Sequence, residues 1–277
     1  MRRYRRRTRI AQVSVIATGT AIAVIAVAAC TGLPATISPA IASGTSIAPH
    51  PVGGGYQSTV SYAVNTPVDK LVVNGQVGDI AVTDSQRTST LIVEVMRYAK
   101  TAPKLIRTLT GTMLNLGYTC PSRESCSVSF DIRVPSNTAI QITEGAGAID
   151  LTGIGGNISA ADRVGSIRAL YLTSRAATLR TGSGEIFADF TATPDRIQAS
   201  TGTGLVSIGV PPTVYYNVTA RTQAEATVNV PTRTTSRHTI NLSDGVGDIV
   251  VVMGYPAASN AAGMQNVNWP SWATRGT

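Results

Sequence analysis

The chain has 277 residues, 43% of them hydrophobic, 5% aromatic and 14% charged, with 26 glycines. That balance is too apolar for a disordered chain and suits a strand-rich body with many tight turns. The formal net charge is +8, yet six arginines crowd the first nine residues, and without them 17 basic side chains face 15 acidic ones, which argues against a nucleic-acid partner.

Those arginines open the first element. After them Ile10 to Cys30, IAQVSVIATGTAIAVIAVAAC, carries no charge. A cationic start followed by an apolar run is an export signal, the arginines staying on the cytoplasmic side. The run ends in Val27-Ala28-Ala29-Cys30, which resembles the bacterial lipobox, whose cysteine is lipidated and becomes the first residue of the mature protein. Residues 1–29 therefore read as a lipoprotein signal, with Cys30 as the lipidation site. Two other fates stay open: an uncleaved helix, since Ile10 to Ala29 is long enough to span a bilayer, and cleavage to free secretion. All three place the body outside the cytoplasm, and the membrane, reached by lipid or helix, is its first expected partner.

Residues 30–58 read as a flexible tether, because Thr31 to Tyr56 is uncharged and rich in Pro, Ser, Gly and Ala. His50 belongs to it as a solvated residue. Residues 59–254 form the expected domain, and 255–277 a tail in which Trp269 and Trp272 are the aromatic residues available to cap an edge.

Within the domain one motif recurs: EGAGAIDL, TGSGEIFA, TGTGLVSI and DGVGDIVV. Its last glycines are Gly78, Gly147, Gly165, Gly184, Gly204 and Gly247, with a degenerate copy at Ala226. From Gly147 onward the copies return about every twenty residues, the range of solenoid repeats. Two places after each anchor stand Ile80, Ile149, Ile167, Ile186, Val206, Val228 and Ile249, all β-branched. Four places after, every residue is apolar, while the intervening positions are mixed. This period of two marks strands with one face buried. A further strand-like run precedes each glycine, so one coil reads as strand, glycine corner, strand and looser return. The expected fold is all-β: a parallel β-solenoid of coils about twenty residues long, its isoleucines stacked in a shared column. The glycines need no ligand, since a phosphate-cradling loop occurs once, between strand and helix, often with a Gly-Lys-Ser/Thr ending that is missing here.

Between Gly78 and Gly147 the period breaks. The runs STLIVEVMRYA and SVSFDIRVP predict paired antiparallel strands that project from or extend the first coils. Cys120 and Cys126 bracket PSRES, and an exported compartment favours a disulfide there, at the base of a loop between antiparallel strands, over free thiols or a metal site.

Chemistry is sparse. His238 is the body's single histidine, so no multi-histidine metal site is available, and it reads as an exposed strand-edge residue rather than a triad member. Corner acids Asp79, Glu144, Glu185, Asp244 and Asp248 raise the possibility of a carboxylate pair for glycoside hydrolysis. Ala148, Ser166, Leu205 and Thr227 interrupt them, which argues for turn residues instead. Tyr215 and Tyr216 are expected on opposite faces of one strand. No cofactor motif is present.

The export N-terminus, DKLVVNGQVGDIAV, FDIRVPSNTAIQITEGAGAIDLTGIGGNISA and LRTGSGEIFADF together resemble the bacterial DUF4097 family, also labelled adhesin, over about Thr59 to Gly254. The resemblance implies a surface-exposed β-repeat domain and supplies no catalytic residues. Two departures are Ala226 in place of a glycine and Arg163, where other corners carry their first glycine. The function expected is a non-catalytic binding, adhesion or scaffold protein of the cell surface, with a glycan or protein ligand. A carbohydrate-active β-helix enzyme and a sensory component of an envelope-stress system are the alternatives. A cleft of paired carboxylates and aromatics would favour the enzyme; a face of Thr, Ser and Asn would favour binding.

Overall fold

The computed structural model describes residues 44–122 and 124–254. Cys30, the export segment and the tail with Trp269 and Trp272 lie outside the described residues. In chain order, β1 (Thr45–Val52) and β2 (Gly55–Val64) form a hairpin, followed by β3 (Lys70–Asn74) and β4 (Ile80–Ser85). Then come β5 (Thr90–Tyr98), β6 (Lys104–Thr110), β7 (Met113–Thr119) and β8 (Cys126–Pro135). The regular coils are β9 (Ala139–Ala146) with β10 (Ile149–Thr152), β11 (Ile158–Val164) with β12 (Ile167–Leu172), and β13 (Ala176–Ser183) with β14 (Ile186–Phe190). In β15 (Arg196–Val210) both halves of a coil run as one strand. β16 (Asn217–Arg221), β17 (Ala226–Asn229) and β18 (Thr239–Met253) complete the described residues.

The expected architecture is present: all-β, mostly parallel and stacked coil on coil. A single 18-stranded sheet folds along the glycine corners into two arms. The leading arm runs β6-β7-β3-β9-β11-β13-β15-β18-β16, and the trailing arm β1-β2-β5-β8-β4-β10-β12-β14-β15-β18-β17. Among the described residues antiparallel pairing is confined to β1, β2, β5 and β6 with their neighbours, at the N-terminal end of the stack. β1 and the start of β2 occupy residues assigned above to the tether. Pairing reaches there because β2 lies against β5 over nine residue pairs, which satisfies the backbone that a tether would leave to water.

In the trailing arm Ile80, Ile149, Ile167, Ile186, Val206 and Ile249 stand in register on successive strands, and each is fully buried. Each contributes about 2 kcal/mol by burial, so this column is a main support of the fold. Phe130 extends it at one end, opposite Ile80. Val228 does not belong to it. Ala226, taken above as a glycine equivalent, sits opposite Ile249, and Val228 sits opposite Val251 with 39% of its surface exposed. The copy is displaced by two residues, an even shift that preserves the apolar alternation and so leaves it invisible in the pattern.

Stack order also departs from chain order at both ends. β7 and β8 form a coil outside β3 and β4, although they follow them in sequence. β18 is inserted between β15 and the β16–β17 coil. Cys120 and Cys126 form the expected disulfide, with Cα atoms 5.7 Å apart. Its flanking strands are not antiparallel partners: β7 runs parallel to β3 and β8 parallel to β4. The bridge therefore closes an enlarged corner where other coils turn on glycine. At the N-terminal end Glu94 points into the core, fully buried. Arg107 Nε donates to both its oxygens, at 3.1 and 3.0 Å, and the Tyr62 hydroxyl donates to Oε1 at 2.8 Å. This cluster links β5 and β6 and pairs a charge that the core could not hold alone.

Candidate functional site

Two environments matter: the inside of the corner, where the acids are, and the outside of the leading arm. The anchor glycines adopt φ values from 143° at Gly184 to 159° at Gly204, which L side chains rarely adopt. A Cβ at Gly147, Gly165, Gly184, Gly204 or Gly247 would also overlap the carbonyl oxygen of the anchor glycine one coil before. Backbone passing backbone therefore requires glycine here. The motif's first glycines, Gly145, Gly182, Gly202 and Gly245, have no positive φ, yet a Cβ there would also crowd a carbonyl oxygen of the coil before. At the equivalent place Arg163 stands opposite Gly145, and its side chain leaves for solvent.

Three residues before each anchor, an inward polar column runs Glu144, Asp162, Thr181, Thr201 and Asp244. All are buried, none more than 6% exposed. Their task is to satisfy the corner. Glu144 Oε1 accepts from the N–H groups of Gly145 and Ala146 at 3.0 and 3.4 Å. Asp162 and Asp244 accept from Val164 and Val246 at 3.1 and 3.0 Å. Thr181 and Thr201 instead donate to the carbonyls of Gly165 and Gly184, at 2.8 and 2.9 Å. Burial raises the carboxyls of Asp162 and Asp244 and pushes Glu144 up to about 7. Asp150, on the trailing arm, is pushed up to about 6, again chiefly by burial.

Glu144 and Asp162 occupy adjacent coils, about 4.8 Å apart. They are a carboxylate pair by spacing, but sealed beneath the corner and bound to backbone N–H groups. Asp162 was missed in the sequence because no glycine follows it directly. The acids after the anchors act similarly: Asp79 accepts from Ala148 N at 3.0 Å and Asp248 from Glu225 N at 3.2 Å. Ala148, Ser166 and Leu205 separate Asp79, Glu185 and Asp248 as expected; Thr227 does not stand at the corner, because the two-residue displacement sets it opposite Val250. Among the described residues, the acids beyond the glycine corner stand side by side only at the last coil, as Glu225 and Asp248.

His238 is buried rather than exposed. Its Nδ1 lies 2.9 Å from the Pro194 carbonyl oxygen and 3.7 Å from Asp195 Oδ1, and its ring meets Tyr216 edge-on. The return loop before β15 covers it, a tertiary contact with no local signal. Tyr215 and Tyr216 do face opposite ways. Tyr216 is fully buried with its hydroxyl donating to the Pro211 carbonyl at 2.8 Å, while Tyr215 is half-exposed beneath the Arg233 guanidinium.

The outer face of the leading arm is different. Alternation turns Gln141 and Thr143, Thr178 and Arg180, and Gln198 and Ser200 outward while their neighbours face the core. Asn241 and Ser243 of β18 and Thr219 and Arg221 of β16 continue the two rows. One row reads Thr178-Gln198-Asn241-Thr219 and the other Arg180-Ser200-Ser243-Arg221, in register. Long arginines at both ends of short serines leave an open cleft of about 530 Å³. Its lining contains two guanidinium groups, two side-chain amides and three hydroxyls, and no carboxylate. Such a surface offers hydrogen-bond donors and acceptors, without an acid–base pair for bond cleavage.

No family model matches the chain, and no curated protein matches it. Among solved structures, a provisionally named cell adhesion protein from Clostridium sporogenes is similar at 12% identity and a TM-score of 0.40, over 76% of this chain and 100% of that one. A provisionally named adhesin from Bacteroides fragilis is similar at 14% identity and a TM-score of 0.41, over 70% and 97% of the two chains. A third, an adhesin so named from Parabacteroides merdae, has 11% identity and a TM-score of 0.28, over 71% and 95%. At these values the likeness carries no statement about ligand or role.

Proposed function

We propose that the protein is a non-catalytic exported surface protein, held at the membrane through Cys30, whose solenoid body serves as a binding or adhesion module. The observation that supports this is the division of polar chemistry between the two sides of the leading arm. Its carboxylates are turned inward and spent on corner N–H groups, whereas its outer rows present amides, hydroxyls and guanidinium groups around an open cleft. Hydrolysis of a sugar requires two carboxyl groups that reach one glycosidic bond, and buried Glu144 and Asp162 do not reach solvent. A row of Gln, Asn, Ser and Thr provides paired donors and acceptors suited to hydroxyl-rich ligands.

The test is a glycan array probed with the full chain, followed by incubation of any retained glycan to look for new reducing ends. Retention without cleavage is expected. Cleavage that disappears in Glu144→Gln or Asp162→Asn would return the reading to a carbohydrate-active enzyme.

A further inference from the structure

On the leading arm, before the glycine corners, the outward positions of β3, β9, β11, β13, β15, β18 and β16 include Lys70, Arg163, Arg180, Arg196 and Arg221, and no Asp or Glu. The chain beyond its arginine-rich start is almost balanced, so this face concentrates positive charge that the rest of the body does not share. Arg180 and Arg221 lie three strand steps apart in one row, about 14 Å along the stack. Among the described residues neither guanidinium makes an ion pair or hydrogen bond. Between them Ser200 and Ser243 leave room, and Gln198 and Asn241 each offer a donor and an acceptor.

From this geometry we infer that the cleft between Arg180 and Arg221 binds an extended anionic polysaccharide bearing carboxylates, of the uronate type. The inference rests on the reading of the body as a binding module and names its ligand class. Each guanidinium fork donates two N–H bonds to one carboxylate, and the amide and hydroxyl floor takes the sugar hydroxyls. One small anion cannot span both arginines, whereas a chain with repeating charge can. A flat anionic membrane would meet the arginine tips and leave the recessed polar floor unused.

The test titrates the full chain with polygalacturonate, with neutral dextran, and with vesicles of anionic phospholipid, at about 50 and 200 mM salt. Polygalacturonate is expected to bind, more weakly at higher salt, and dextran is not. The double variant R180Q/R221Q is expected to lose roughly tenfold or more in affinity, since it removes two charge-assisted pairings. Arg87→Gln, remote from the cleft, should change nothing. Ser243→Trp fills the floor, keeps both charges and should weaken binding as well. Unaltered thermal melts of these surface variants would establish that the loss is local. Equal binding of dextran, undiminished polygalacturonate affinity in R180Q/R221Q, or vesicle binding without polygalacturonate binding would each overturn the inference. Retention of neutral glycans alone would leave the binding-module reading standing while removing this ligand class.

Discussion

Replacing Glu144 by Gln isolates the electrostatics of the corner. The carboxyl is 3% exposed, and burial is the largest cause of its displacement from 4.5 to about 7. The folded state therefore holds the proton more tightly than the unfolded chain does. That contribution is fully present below about pH 4.5 and is lost as pH rises through about 7, at about 1.4 kcal/mol per unit of pKa difference. The window amounts to about 3 kcal/mol, as an order of magnitude. Gln keeps an acceptor for the Gly145 and Ala146 N–H groups and cannot ionise. Urea unfolding at a series of pH values between 4.5 and 8.5 should show the native protein losing stability as the solution becomes alkaline. Glu144→Gln should be flatter by about that amount and more stable than the native protein at the alkaline end. Identical pH profiles for the two proteins would mean that the carboxyl pays no burial cost, and the account of the corner would be wrong.

Three further outcomes test the stack. Ile249→Ala should cost about 2–5 kcal/mol in unfolding free energy and Val228→Ala less than about 0.5, because only the former stands in the buried column; equal losses would restore the sequential register. Gly184→Ala combines an unfavourable φ with overlap of the Gly165 carbonyl and should cost at least about 2 kcal/mol, while Arg163→Gly, at a corner position without a positive φ, should stay within about 1 kcal/mol of the native melt. Replacing Cys120 and Cys126 together by Ser should destabilise by about 2 kcal/mol, the closure entropy of a loop this short, and reducing agent should then leave the melting temperature of that variant unchanged.

Much of the fold was legible because parallel coils repeat one local rule. Isoleucine two places after a glycine fixes which face is buried, and six of the seven expected column residues stack as their spacing implies. The error at Val228 has a physical origin: a two-residue displacement keeps side chains on the same face, so alternation cannot detect it. The order of the coils was not legible. Nothing in MLNLGYT or CSVSFDIRVP says that this pair passes outside β3 and β4, since strand order depends on contacts far apart in sequence. The cleft was visible only in type. Thr, Ser and Asn rows were anticipated as the mark of a binder, but Arg180 and Arg221 come together through the insertion of β18, which joins residues 41 positions apart. His238 was misjudged because its cover, Pro194 and Tyr216, comes from other coils.

The threading of β18 between β15 and the preceding coil sets this molecule apart from ordinary repeat arrays, whose terminal units can be trimmed one at a time. Here the last of the described strands to leave the ribosome is the lining of a gap flanked by older strands. A chain halted before Thr239 would leave β16 and β17 with no neighbour to pair with, and would expose the inner edge of β15 as well. Synthesis must therefore pass β18 before the C-terminal third can settle, and the cleft cannot be assembled on a fragment that lacks this strand.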